Sequence, residues 1–133
     1  MDNQLNDILT NIPLLRKKVE KISFENNIDK DELLIEMLKF LNLIHITKTK
    51  LSPSLLIDLA WHEFILFTRY YQKFCSTHYN RFIHHTPSEN EDYTIYQKTI
   101  KLYIKHYNKP PESIWGSYAM TQWESNNCGA CHN

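Results

Sequence analysis

No glycine occurs before Gly116 in this 133-residue chain, and the only other one is Gly129. Tight β-hairpins draw heavily on Gly and Asn-Gly, so a chain this poor in glycine points to helices joined by short polar links. The five prolines, Pro13, Pro53, Pro87, Pro110 and Pro111, stand where they can open or close helices without breaking one. A hydrophobic fraction of 42% at this length is enough for one buried core. The expected fold is therefore all-α: a single-domain bundle of about four or five helices around a central buried helix, with an irregular tail packed back on it. Residues 1–50 would supply N-terminal helices, 53–108 the core module, and 109–133 a tail carrying tryptophan and cysteine.

Helix signals can be placed along the chain. Pro13 opens a first helix with Leu15, Val19 and Ile22 on one face. Asp29 reads as an N-cap with Glu32 three residues on, before a buried stripe of Leu34, Met37, Leu38, Leu41 and Ile44. Ser52-Pro53 reads as N-cap and first helical residue of a long central helix, Leu55 to about His78. Ser88 and Glu91 form a capping-box pattern ahead of a tyrosine-rich helix with Tyr93, Tyr96, Ile100, Tyr103, Ile104 and Tyr107 on one side. Pro110-Pro111 then ends regular structure.

Charge narrows the partners. Fifteen Lys and Arg balance fifteen Asp and Glu, so the chain lacks the overall field that draws nucleic acid or an anionic membrane. The N-terminus is acidic where a secretion signal is basic and apolar, and the most apolar run, Leu55 to Phe67, is interrupted by Asp58, His62 and Glu63. No nucleic acid, no membrane and a cytoplasmic location are expected, with three cysteines held as thiols. A protein partner remains open, because the tyrosine-rich helix could present an aromatic face.

The central helix is apolar almost all round, so its polar residues need partners. Asp58, His62 and Arg69 share one side, and Asp58 lies four residues before His62. They are expected to form a buried polar cluster, since an unpaired buried polar group costs roughly 1–3 kcal/mol. The same Asp–His spacing could orient a metal-binding imidazole. His62-Glu63 does not continue as a zinc-protease motif, because Leu66 stands where the second histidine belongs.

Cys128-x-x-Cys131 is half of a tetrahedral zinc site. Cys75 and His78, three apart at a helix end, could supply the other half, with His84 or His85 in place of His78. The expected role is thus a metal-binding helical domain, with a structural zinc held by a subset of Cys75, His78, His84, His85, Cys128 and Cys131. Cys128-x-x-Cys131-His132 also matches the attachment sequence of haem c, a lesser alternative because no export signal is seen. A metal-dependent hydrolase using Glu63 or Asp58 is a further alternative, but no phosphate loop, dinucleotide fingerprint or serine elbow supports an enzyme.

Pro53, Asp58-x-x-Trp61-His62, Tyr70-Tyr71, Phe74-Cys75 and Phe82-Ile83-His84-His85-x-Pro87 together resemble the helical module of the glycine-rich-domain-containing-protein-like family. Pro110-Pro111 to Trp115 and Cys128-Gly129-Ala130-Cys131 resemble the proline-tryptophan region and cysteine-rich end of its small stand-alone members. The resemblance covers roughly residues 53–131. It implies an all-helical fold and recurrent Asp58, Trp61, His62, Cys75, His84 and His85 positions, and it implies no activity. The glycine-rich region of the plant members is absent.

Overall fold

The computed structural model describes residues 1–85 and 93–127, apart from the side chains of 126 and 127. Those residues form eight helices and no strand: α1 (Asp2–Asn11), α2 (Pro13–Glu25), α3 (Lys30–Thr47), α4 (Leu55–Ile65), α5 (Thr68–Tyr79), α6 (Tyr93–Tyr107), α7 (Glu112–Trp115) and α8 (Ser117–Asn127). The fold is all-α, as the shortage of glycine implies, but it has more and shorter helices than the expected four or five. The excess has three sources, one of them the split of the Leu55–His78 segment into α4 and α5. Asp2–Asn11 forms a helix of its own, tied to α2 through Ile12 and Pro13. The tail after Pro110-Pro111 is also helical, as α7 and α8, where an irregular segment was expected.

The centre of the bundle is α3, not the Leu55–His78 segment. Nine of its residues are buried, and it packs against α1, α2, α4 and α6. Its start follows the expected chemistry: the Asp29 carboxylate accepts from the Glu32 amide at 3.1 Å, a cap worth about 1 kcal/mol. It ends at Lys48, whose left-handed backbone (φ 51°) lets its amide close onto the Ile44 carbonyl at 2.8 Å.

The expected long central helix is broken at Leu66-Phe67, where Phe67 takes φ −82° and ψ 65°. The break has a physical reason. In one straight helix Trp61 and Tyr71 would stand about 15 Å apart along the axis. Instead the chain folds back, so that the Trp61 indole N–H donates to the Tyr71 hydroxyl at 3.0 Å. The apolar spacing carries on through the break without a shift, so α4 buries Ile57, Ala60, Trp61 and Phe64, while α5 buries Tyr71, Phe74, Cys75 and Tyr79. The start of α4 also differs from expectation. Ser54, not Ser52, is the N-cap, its hydroxyl accepting from the Ile57 amide at 3.3 Å. The Ser52 amide is drawn away to the Thr99 hydroxyl of α6 at 2.9 Å, which leaves Ser52 and Pro53 outside the helix. The Ser88–Glu91 capping pattern lies outside the described residues.

Two tyrosines of α6 pack on α3, whereas Tyr93 and Tyr96 lie against Tyr118 and Trp115. Tyr103 is wholly buried and its hydroxyl donates to Glu36 at 2.6 Å, while the Tyr107 hydroxyl donates to the Lys39 carbonyl at 3.2 Å. Glu36, 3% exposed, also accepts from the Trp115 indole at 2.9 Å and pairs with Lys39 at 3.2 Å. One carboxylate therefore joins α3, α6 and α7. The Tyr96 hydroxyl adds a second tie, donating to the Trp115 carbonyl at 2.6 Å. These bonds hold the short α7 in place, although four residues of helix have no stability alone. No helix among the described residues is long and apolar enough to cross a membrane.

Candidate functional site

The breaks that shorten the helices also open a cleft. Its walls are the link between α3 and α4 (residues 48–54), the first two turns of α4, the stretch Arg81–His85 after α5, the start of α6, and α7. Its volume is about 1020 Å³, at the upper limit for small-molecule sites. The floor is aromatic: Trp61 is 4% exposed and Trp115 is 2% exposed.

The Arg81–His85 wall is held by a relay of hydrogen bonds. Asn80 caps α5 in the left-handed region (φ 54°), which turns the chain back along α4. The Tyr71 hydroxyl, while accepting from Trp61, donates to the Ile83 carbonyl at 2.7 Å. Burial pushes the Tyr71 phenol well above its ordinary range, with the nearby Cys75 thiol acting in the same direction, so it stays a donor throughout the working pH range. Trp61, Tyr71 and Ile83 thus fix the backbone two residues before His85.

His85 meets Asp58 across the cleft wall, its Nε2 2.5 Å from the Asp58 Oδ1. Its ring packs at a 46° tilt against Trp61, with centroids 4.3 Å apart. An ionised carboxylate only accepts, so Nε2 carries the hydrogen and any further chemistry of His85 passes through Nδ1. That nitrogen could accept a proton or hold a metal ion, in the arrangement by which carboxylates orient ligand histidines.

The expected cluster of Asp58, His62 and Arg69 does not form. Asp58 turns to His85, while His62 and Arg69 are exposed. The break at Phe67 is the reason, since it places Arg69 on α5, a different helix from Asp58 and His62. His62 lines the cleft without joining the pair.

The expected metal residues are dispersed as well. Cys75 is wholly buried in the apolar core, and burial raises its thiol above the ordinary range despite bonds from the Ile83 backbone and Tyr71. His78, three residues on, turns to α1, its Nε2 3.0 Å from the Asp7 carboxylate. Cys75 and His78 therefore do not converge as half a site. His84 is exposed and packs edge-on against Phe82, with ring centroids 4.6 Å apart. Among the described residues no three of His, Cys, Asp and Glu gather in a way that could hold a metal. Cys128, Cys131 and His132 lie outside the described residues, and of the expected metal residues that are described His85 is the one beside the cleft whose ring a carboxylate orients.

Three cleft residues escape sequence reasoning: Lys48, Lys50 and Arg81. The Arg81 guanidinium reaches the Ile44 carbonyl at 3.5 Å, beside the Lys48 cap. The available signal was the Asn80-Arg81 pair directly after a helix, since Asn favours a left-handed cap that throws the next residue sideways.

The molecule is thus an all-α, single-domain helical protein with an aromatic-floored cleft at the junction of its fourth, fifth and sixth helices. The profile of the UCP032817-like family matches residues 10–105, and the chain belongs to that family. The matched stretch includes Asp58, Trp61 and His85 and stops short of α7, α8 and the cysteine pair. Nothing in it connects the chain to the glycine-rich-domain-containing-protein-like family. No curated protein and no solved structure matched the chain.

Proposed function

We propose that this chain is a small-molecule-binding helical domain whose working site is the cleft around Asp58 and His85. One observation carries the reading. A concave space of about 1020 Å³ brings two buried indoles, Trp61 and Trp115, together with an oriented carboxylate–imidazole pair. Apolar concavity with a few convergent polar groups is the general form of a ligand site. The exposed apolar lining, Leu55, Phe82 and Tyr93, supplies affinity through burial, and the pair fixes orientation. The test is a fragment screen followed by tryptophan emission, because both indoles report on the same space. Planar fragments should change the emission of the native chain and lose affinity in His85→Ala. A chain whose emission no planar fragment alters has no working cleft.

A zinc-binding reading keeps one specific observation in its favour. Asp58 grips Nε2 of His85 and leaves Nδ1 as the ligating nitrogen. Cys128 and Cys131 would have to supply thiolates, which suits the reducing conditions of the cytoplasm, where we place the chain. Cys75 and His78 take no part in this version, and neither a haem nor a hydrolytic reading gains support from the cleft. Elemental analysis of chelator-free protein separates the two proposals. About one equivalent of zinc, lost in both His85→Ala and Cys128→Ser, supports the ion, whereas a metal-free chain removes it and leaves the cleft reading intact.

A further inference from the structure

The chain as a whole is neutral, yet the described lining of its cleft is not. The described lining residues include the cations Lys48, Lys50 and Arg81 and the imidazoles His62, His84 and His85. Against them stands one carboxylate, Asp58, already engaged by His85. Arg81, Lys48 and Lys50 have no carboxylate partner among the described residues. The carbonyl end of α3 accounts for part of this, because Arg81 reaches the Ile44 carbonyl and helix C-termini attract cations. It does not account for Lys50, which lies beyond the cap, or for the imidazoles of His62, His84 and His85 that line the same cleft.

We infer that the cleft takes an anionic ligand with a planar apolar body: an aromatic or polycyclic acid bearing a carboxylate, sulfonate or phosphate. The body lies over Trp61 and Trp115, and the acid group meets Arg81 and Lys48 at the rim. Phe82 and Tyr93, exposed by 41% and 56%, flank the mouth and extend the aromatic surface a ligand could cover. Arg81 suits the acid group, since its planar donors match two acceptor oxygens at once. This inference rests on the cleft reading above and adds the sign of the ligand's charge.

The experiment compares two fluorescent probes of similar shape on the whole chain. Anilinonaphthalene sulfonate carries the acid group, and phenylnaphthylamine lacks it. Near-ultraviolet circular dichroism, recorded in parallel, verifies that the protein stays folded. The sulfonate should bind about tenfold or more tightly than the neutral probe, consistent with one charge-assisted contact. That preference should shrink as salt is raised. A variant carrying Arg81→Gln, Lys48→Gln and Lys50→Gln should lose it while binding the neutral probe as before. All three side chains are on the rim, and none supports the core.

Equal affinity for both probes in the native chain overturns the anion inference and leaves the cleft standing. So does a triple variant that keeps its sulfonate preference. Failure of both probes to bind removes the cleft reading, and the inference with it.

Discussion

Two carboxylates, each flanked in its helix by apolar neighbours, have opposite surroundings. Glu36 on α3 is 3% exposed and receives the Tyr103 hydroxyl, the Trp115 indole and the Lys39 ammonium. Asp58 on α4 has a side chain 40% exposed and, among the described residues, one partner, His85. Donors brought in from several helices turn an acid into a structural joint. An acid given a single donor and an open side remains available to a ligand. Sequence neighbours do not distinguish the two cases, because both acids sit among leucines and isoleucines.

The strongest way to break this contrast is Glu36→Ala. It leaves the Tyr103 hydroxyl and the Trp115 indole without their acceptor in the core, each costing about 1–3 kcal/mol. A loss of about 3 kcal/mol or more is expected in urea unfolding, with a melting temperature lower by about 10 °C or more. A variant that melts like the native chain would mean that Glu36 is no joint and that burial alone holds α7.

Tyr71→Phe comes next. It removes the relay between Trp61 and the Ile83 carbonyl without opening a cavity, so about 1–2 kcal/mol of stability should go. Because the relay sets the wall that carries His85, fragment affinity in the cleft should fall as well. A stability loss with unchanged fragment binding would show that His85 is positioned by Asp58 and Trp61 alone.

Asp7 separates the number of donors from burial. Its carboxylate accepts from Tyr70 at 2.6 Å and Asn11 at 2.7 Å, and it meets His78 at 3.0 Å, yet the side chain is 30% exposed. Its partial burial works to raise the carboxyl pKa, but the bonds from Tyr70 and His78 and the His78 charge outweigh it and hold the group below its ordinary range. A depressed acid stabilises the fold above its unfolded pKa, about 3.9, and that contribution is lost as pH falls through the lower folded value. Asp7→Asn should therefore cost about 1 kcal/mol near neutral pH, with solvent screening keeping it that small. It should also flatten the pH dependence of stability below about pH 4. An effect as large as that of Glu36→Ala would make donor number, not burial, the deciding variable.

How much of this was legible beforehand follows from the range of each interaction. The Asp29 cap, the buried stripe of α3 and the all-α class depend on contacts within a few residues, and they were readable. The break at Phe67 was not, because it is driven by a Trp61–Tyr71 bond that exists only once the chain has turned back. A straight apolar helix and a folded-back pair leave the same local pattern. The pairing of Asp58 was misread for the same reason. His62 is its neighbour at helical spacing, whereas His85 is 27 residues away and arrives through the Asn80 turn and the Ile83 bond. Glu36 carried a usable hint, a lone acid inside the stripe from Leu33 to Leu41, which buried acids rarely tolerate without partners. The identity of those partners, on helices 67 and 79 residues further along, could not be read locally.

The smallest expected change in stability belongs to Asp58→Asn, and it is the most informative about the cleft. The side chain is 40% exposed, so water can replace what His85 loses, and less than about 0.5 kcal/mol should disappear. The amide keeps the size of the carboxylate but can present its NH₂ to Nε2, which no longer has to carry the hydrogen. His85 is then released to either tautomer and to rotation against Trp61. In the native chain its ring protons lie against the Trp61 indole, 4.3 Å between centroids, and should resonate away from the ordinary histidine position. In the variant that displacement should shrink while the melting curve hardly moves, and affinity for planar fragments should fall. A variant with unchanged His85 resonances would show that packing on Trp61 alone orients the ring. Asp58 would then be an ordinary solvated acid of the first turn of α4, with no part in the site.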